Sequence, residues 1–311
     1  MEIPKDNFNK LIQFYNDELN IYKSIAIPGI QKLLEKERTP YLKQLNALND
    51  IYIFQNYLLD SQQSVFTKPS NHTISLYFSK VAGNLFSILQ CLYFGQLISA
   101  SSIERDIFET YVDTKLMLQK DTEERSMLYE EYQHAALWNR MNAYKKYIKA
   151  LEISNDLSED KKKSAIEYYE KLYKEINEKE ICNNYERIKQ NYHPRYPYHW
   201  AWKIFKNETK NHNNPTLDFI CKKLGLYEDY LQVYSTASLA VHNQPLMANF
   251  MTREGAVTSV PIFSEIINSI ASISASFVIE IILMALENGE SDKVEEIKLF
   301  LNYIFKSAFI D

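Results

Sequence analysis

Glycine is scarce, with six residues in a chain of 311. Few positions can therefore take left-handed backbone, and a protein of many tight hairpins is disfavoured. No P-loop, dinucleotide-binding fingerprint, G-x-S-x-G elbow or kinase signature occurs, so phosphate cradles built on glycine backbone are not expected. The three cysteines, Cys91, Cys182 and Cys221, lie far apart and never at zinc-ligand spacing. An odd, dispersed set suits reduced thiols in a cytosolic protein. Of the six histidines, His193, His199, His212 and His242 form no His-x3-His pattern with a carboxylate, so neither metal nor other cofactor is expected. The opening residues, Met1 to Asn7, are polar and unlike a secretory leader. The most apolar stretch, Pro261 to Leu286, is interrupted by Glu265, Asn268, Glu280 and serines. It reads as a buried bundle helix and not a membrane span, and the expected location is cytoplasmic.

Lys, Glu, Leu, Ile, Asn and Tyr dominate instead, and the apolar fraction of 46% suits a folded core. Twenty-three tyrosines fit seams between helices, where a ring is buried while its hydroxyl stays wet. The net charge of −5 argues against indiscriminate coating of nucleic acid. Yet from Arg140 to Lys210 there are 16 Lys/Arg against 11 Asp/Glu, which leaves either a local basic groove or a solvated Lys/Glu face.

Apolar spacing of three and four predicts helices through most of the chain. Phe8, Leu11, Ile12, Tyr15 and Leu19 mark the first. Pro40 opens a second, which runs to Leu59. Residues 1–60 are thus expected to form an N-terminal helical hairpin. A main bundle spans 72–311, with an inserted charged helix at about 154–191. In the apolar stretch His72 to Ala100, Gly83 and Gly95 are read as points of close helix approach. Tyr192 to Trp200, with two prolines, is a loop anchored by Trp200, Trp202 and Phe205; Gly225 caps a short helix from Pro215. Pro245 to Val260 is read as a loop, and two last helices part near Asn288-Gly289. The predicted fold class is all-α, a single large helical bundle with almost no sheet.

Two stretches carry the polar chemistry. Tyr234-x3-Ser238-x3-His242 places serine and histidine one turn apart, just before Pro245. A Ser238–His242 hydrogen bond would prepare a general acid–base, although a satisfied histidine at a helix end has the same spacing. Arg105, Glu109 and Asp113 fall at i, i+4 and i+8, on one face. That face is either an ordinary intrahelical salt bridge or one side of a polar site whose arginine reaches a second helix. Arg187-x5-His193 has the spacing of the motif in HEPN-type helical ribonucleases, but Ile188 follows the arginine where those enzymes usually have a polar residue.

The order of these features resembles an uncharacterised helical bacterial family, domain of unknown function 5677. Arg105-x3-Glu109, Arg125 through Trp138-Asn139-Arg140, Trp200 to Phe205, Leu224-Gly225-Leu226-Tyr227 and Tyr234-x3-Ser238-x3-His242 carry the likeness, over roughly Val81 to Phe250. The resemblance implies that Arg105, Glu109, Ser238 and His242 belong to one set. With the HEPN enzymes as an analogy of fold, it suggests an antiviral-defence or toxin-like effector that cleaves RNA without metal. His242 would be the acid or base, Arg105 would stabilise phosphate charge, Glu109 would orient one of these two, and Ser238 would hold the imidazole. Arg195, Tyr198 and Trp200 would bind the RNA. The alternative is a non-enzymatic binding or regulatory protein, homo-oligomeric or joined to a protein partner, whose polar set is a structural network.

Overall fold

The computed structural model describes residues 38–60, 70–153, 158–174, 177–195, 199–241, 250–253, 256–259 and 266–310, with a few isolated positions before them. The first arm of the expected N-terminal hairpin lies outside the described residues. Its second arm is α1 (Leu42–Asp60), entered through a short 3-10 turn, Thr39–Tyr41, that holds Pro40. There follow α2 (Ser70–Tyr93), α3 (Leu97–Leu118), α4 (Thr122–Ile153), α5 (Glu159–Lys174), α6 (Glu178–Ile188), the single turn α7 (Trp202–Phe205), α8 (Leu217–Leu224), α9 (Tyr227–Val241), α10 (Ile266–Asn288) and α11 (Val294–Phe309). The fold is all-α. Its strands among the described residues are β1 (Phe250–Arg253) and β2 (Ala256–Ser259), paired antiparallel with Phe250 opposite Ser259.

The core is built on α3 and α10. Along α3, Ala100, Glu104, Ile107, Phe108, Tyr111 and Val112 are buried, a stripe at helical period. Along α10, residues from Ile267 to Leu286 are buried on almost every side, because α1, α2, α3 and α11 all pack against it. This helix is long and apolar enough to cross a membrane, with a mean hydropathy of 2.1. Here it is the axis of the bundle. Phe277 meets Phe108 at 5.2 Å and Tyr111 at 5.0 Å between ring centres, while Met284 lies by Leu118. Residue numbers rise together along both helices, so α3 and α10 run parallel. Leu45, Leu48, Ile51 and Leu58 of α1 join the same core, so this arm packs on the main body.

Several boundaries differ from expectation. The charged helix at about 154–191 is two helices, because Asn177 starts a new one. Its amide oxygen accepts from the Glu180 N–H at 3.3 Å, and its amide nitrogen donates to the Glu180 carboxylate at 3.0 Å. The first bond is an N-cap, and the second ties the capping amide to the Glu180 side chain. Gly83 is not a point of close approach, since a Cβ added there would meet nothing within 4 Å. Gly95 instead ends α2 in left-handed backbone (φ 67), with the Gln96 N–H reaching back to the Cys91 carbonyl at 2.8 Å. The segment Pro245–Val260 is not wholly loop, because it contains β1 and β2. Thr252, Val257 and Thr258 favour extended backbone, and two residues, Glu254-Gly255, separate the strands.

Candidate functional site between two helices

Arg105 and Glu109 share one exposed face of α3, and the arginine Nε donates to the Glu109 carboxylate at 2.8 Å. Their side chains keep 28% and 39% of their surface, so this is a screened pair worth little by itself. Arg105 nonetheless reaches a second helix. Its guanidinium lies 4.1 Å from the centre of the Tyr234 ring on α9, at cation–π distance. Tyr234 stacks on Tyr230 at 4.9 Å, and Tyr230 on Tyr227 at 6.0 Å, a column of rings along α9. Farther along α3, Lys115 faces Asp229, near the start of α9. Positions fall along α3 as they rise along α9, so the two helices run antiparallel.

This geometry joins Arg105 and Glu109 to the first residue of the Tyr234-x3-Ser238-x3-His242 run. Ser238 is helical backbone one turn beyond Tyr234, about 6 Å along the axis. Its side chain, and all of His242, lie outside the described residues, as does Tyr198. The antiparallel course carries α9 towards the first turns of α3. Tyr234 is the site residue that sequence reasoning left out. Its position at i−4 from Ser238 and i−8 from His242 was the available signal, since one helix face repeats at that interval.

Asp113 departs from the Arg105 side of the helix. Its carboxylate accepts the Trp200 indole N–H at 2.9 Å, and burial pushes it up to about 7, against the lowering effect of that bond and of Lys80. Trp200 is therefore a core residue, 3% exposed, with its ring edge-on to Tyr129 at 5.9 Å. Arg195 is exposed and lines a separate cavity on α4 together with Arg140. Arg187 and His193 do not share a helix: α6 ends at Ile188, and His193 sits in the following loop, 6.1 Å from Trp202. His199 is held neutral by burial, which lowers it to about 4, and its Nδ1 accepts the Ala201 N–H at 3.1 Å.

Two further polar groups on or against α3 carry buried chemistry. Glu104 is 3% exposed, its Oε1 has no hydrogen-bond partner among the described residues, and burial pushes it up to about 8. By the parallel register with α10 it sits level with Ile270 to Ser274, and the Ser274 hydroxyl is likewise buried without a partner among the described residues. Arg125 is 4% exposed and donates to the Leu116 carbonyl in the last turn of α3. An arginine there satisfies a carbonyl that the helix leaves open. Arg125→Met should lower stability by about 2 kcal/mol, because the carbonyl loses its donor while the stem volume is kept. Urea unfolding would read this, and a change near zero would show that water replaces the guanidinium.

Among the described residues, no group of three or more His, Cys, Asp and Glu could hold a metal ion. The elements together define an all-α protein with a polar face between two antiparallel helices, rooted in an apolar central helix. A family model matches residues 72–256, from the first turn of α2 to the start of β2, and the chain belongs to that family of unknown function (DUF5677). No curated protein and no solved structure matches it.

Proposed function

We propose that this chain is an effector of a bacterial stress or phage-defence system that cleaves RNA without metal at the α3/α9 face. The observation that carries the reading is the position of Arg105. Glu109 at 2.8 Å and Tyr234 at 4.1 Å hold its guanidinium against α9, and in the sequence Ser238 and His242 follow Tyr234 at intervals of four. A cation so fixed needs little reorganisation to meet charge developing on a phosphoryl group. His242 would move the proton, Ser238 would hold its imidazole, and Glu109 would keep Arg105 in place. The protein would act in the cytoplasm, as a homo-oligomer or with a regulatory protein partner.

The second reading is a binding or regulatory protein in which the same residues fasten α9 to α3. It is favoured by the satisfaction of Arg105, which already has a carboxylate and a ring. Induced expression followed by total RNA analysis separates the two. Under the first reading the wild-type chain degrades RNA. His242→Ala and Arg105→Ala should each cut that activity by about 100-fold or more with unchanged thermal unfolding. If RNA stays intact while Arg105→Ala lowers the unfolding midpoint, the site is a fastening and the first reading fails.

A further inference from the structure

The second half of α4 leaves the bundle core and packs against α5 and α6. From residue 132 to 151 it contains no Asp or Glu, although the chain as a whole is acidic. A cavity of about 620 Å³ opens there, lined by five cations: Arg140, Lys145, Lys146, Lys149 and Arg195. Among the described residues, no carboxylate lines it. Lys145 is paired with Glu178 at 2.5 Å, and the Arg140 Nε donates to the Tyr144 hydroxyl at 2.8 Å. Lys146, Lys149 and Arg195 make no ion pair among the described residues, and all three are exposed.

Lys146, Lys149 and Arg195, gathered round one concavity, repel one another, and an anionic ligand would relieve that. The remaining lining residues narrow the anion. Trp138 lines the cavity while its ring is braced by Tyr185, stacked at 4.2 Å and 17°. An indole held on one face offers the cavity its edge or its other face, both suited to an aromatic base. Asn139 and Asn142 add amides, which carry the donors and acceptors that base edges match. The volume is that of a site for a molecule of nucleotide size.

We propose that this cavity binds a nucleotide unit, a nucleobase with its phosphate, presented by single-stranded RNA or as a free nucleotide. Lys146, Lys149 and Arg195 take the phosphates and Trp138 takes the base. The cavity lining shares no residue with the α3/α9 face. Binding here therefore needs neither Arg105 nor His242, and it can hold or fail independently of RNA cleavage.

The test is calorimetric titration of the full chain with a 12-nucleotide oligo(A) RNA, with ATP and with inorganic tripolyphosphate. Three proteins are compared: wild type, the double variant Lys146→Glu/Lys149→Glu, and the charge-keeping Lys146→Arg/Lys149→Arg. Both lysines are exposed, and circular dichroism checks that the fold is kept. The charge-reversed protein should bind at least ten times more weakly, and the arginine protein within about threefold of wild type. For the strand, log K should fall with log[salt] at about 0.7 per phosphate neutralised, shallower by about 1.4 after the two lysines are reversed. Binding of RNA without ATP assigns the ligand to a strand, and binding of ATP assigns it to a free nucleotide. Tripolyphosphate binding as tightly as ATP would remove the base from the proposal. Binding of none of the three, or an affinity unchanged by charge reversal, would overturn it.

Discussion

Phe277→Ala should lower the free energy of unfolding by about 3–5 kcal/mol, the largest loss expected from a single truncation in this core. Phe277 is 7% exposed and meets two rings of α3, Phe108 and Tyr111. Alanine removes the ring from between Phe108, which is fully buried, and Tyr111, and leaves a space that two rigid helices close only in part. Part of the cost is the aromatic contact itself, about 0.5–1.5 kcal/mol beyond area burial. Tyr303→Ala is the matched control, because Tyr303 is 71% exposed and its loss should stay within about 0.5 kcal/mol. Urea unfolding of both variants at pH 7 reads the difference. A loss below 1 kcal/mol for Phe277→Ala would mean that the α3/α10 seam is not what holds the bundle.

Glu104→Gln should stabilise the protein at alkaline pH and make no such difference in acid. In the folded chain the carboxyl is pushed up to about 8 by burial, from an ordinary value near 4.5. Between those two values the folded chain holds a proton that the unfolded chain releases, so stability falls as pH rises from about 4.5 to 8. Below that window both states are protonated and the group contributes nothing. Above it the full cost of burying a carboxylate is present. Glutamine carries no titrating proton, so the variant should gain about 2–4 kcal/mol on wild type between pH 4 and pH 8.5. Any cost of burying its extra amide donor is the same at every pH and leaves the difference intact. Asp113, raised to about 7, acts in the same direction over a lower window. His199, lowered to about 4, acts oppositely: its contribution is lost as pH falls from 6.5 towards 4. Thermal unfolding of wild type and Glu104→Gln across pH 4 to 9 isolates the Glu104 part. Curves that stay parallel would show that Glu104 is ionised in the fold or titrates normally.

Much of the architecture was legible because it is local. Pro40 at a helix start, Gly225 at a helix end and the break near Asn288-Gly289 depend on backbone chemistry within a few residues. The Asn177 N-cap was equally local, and the run of Lys and Glu on both sides concealed it. Gly83 shows the converse error: a glycine inside a helix says that space is available, and not that a neighbour fills it. The short strands were missed because four residues each are too few for an alternating pattern to stand out.

The site divides in the same way. The pairing of Arg105 with Glu109 follows from their spacing on one helix, and family membership follows from the order of motifs along the chain. That much the sequence by itself determined, because helical periodicity and motif order are properties of neighbours. Tertiary structure alone decided which face meets which. It set Arg105 against Tyr234, turned Asp113 to Trp200, and buried Trp200 where a stacking platform was expected. It also gathered Arg195, fifty-five residues beyond Arg140, into one basic cavity with it. The reason is physical: whether a polar residue is a partner, a cap or an open cation depends on packing between helices far apart in sequence. One-dimensional spacing fixes the face a residue lies on, but not what that face touches.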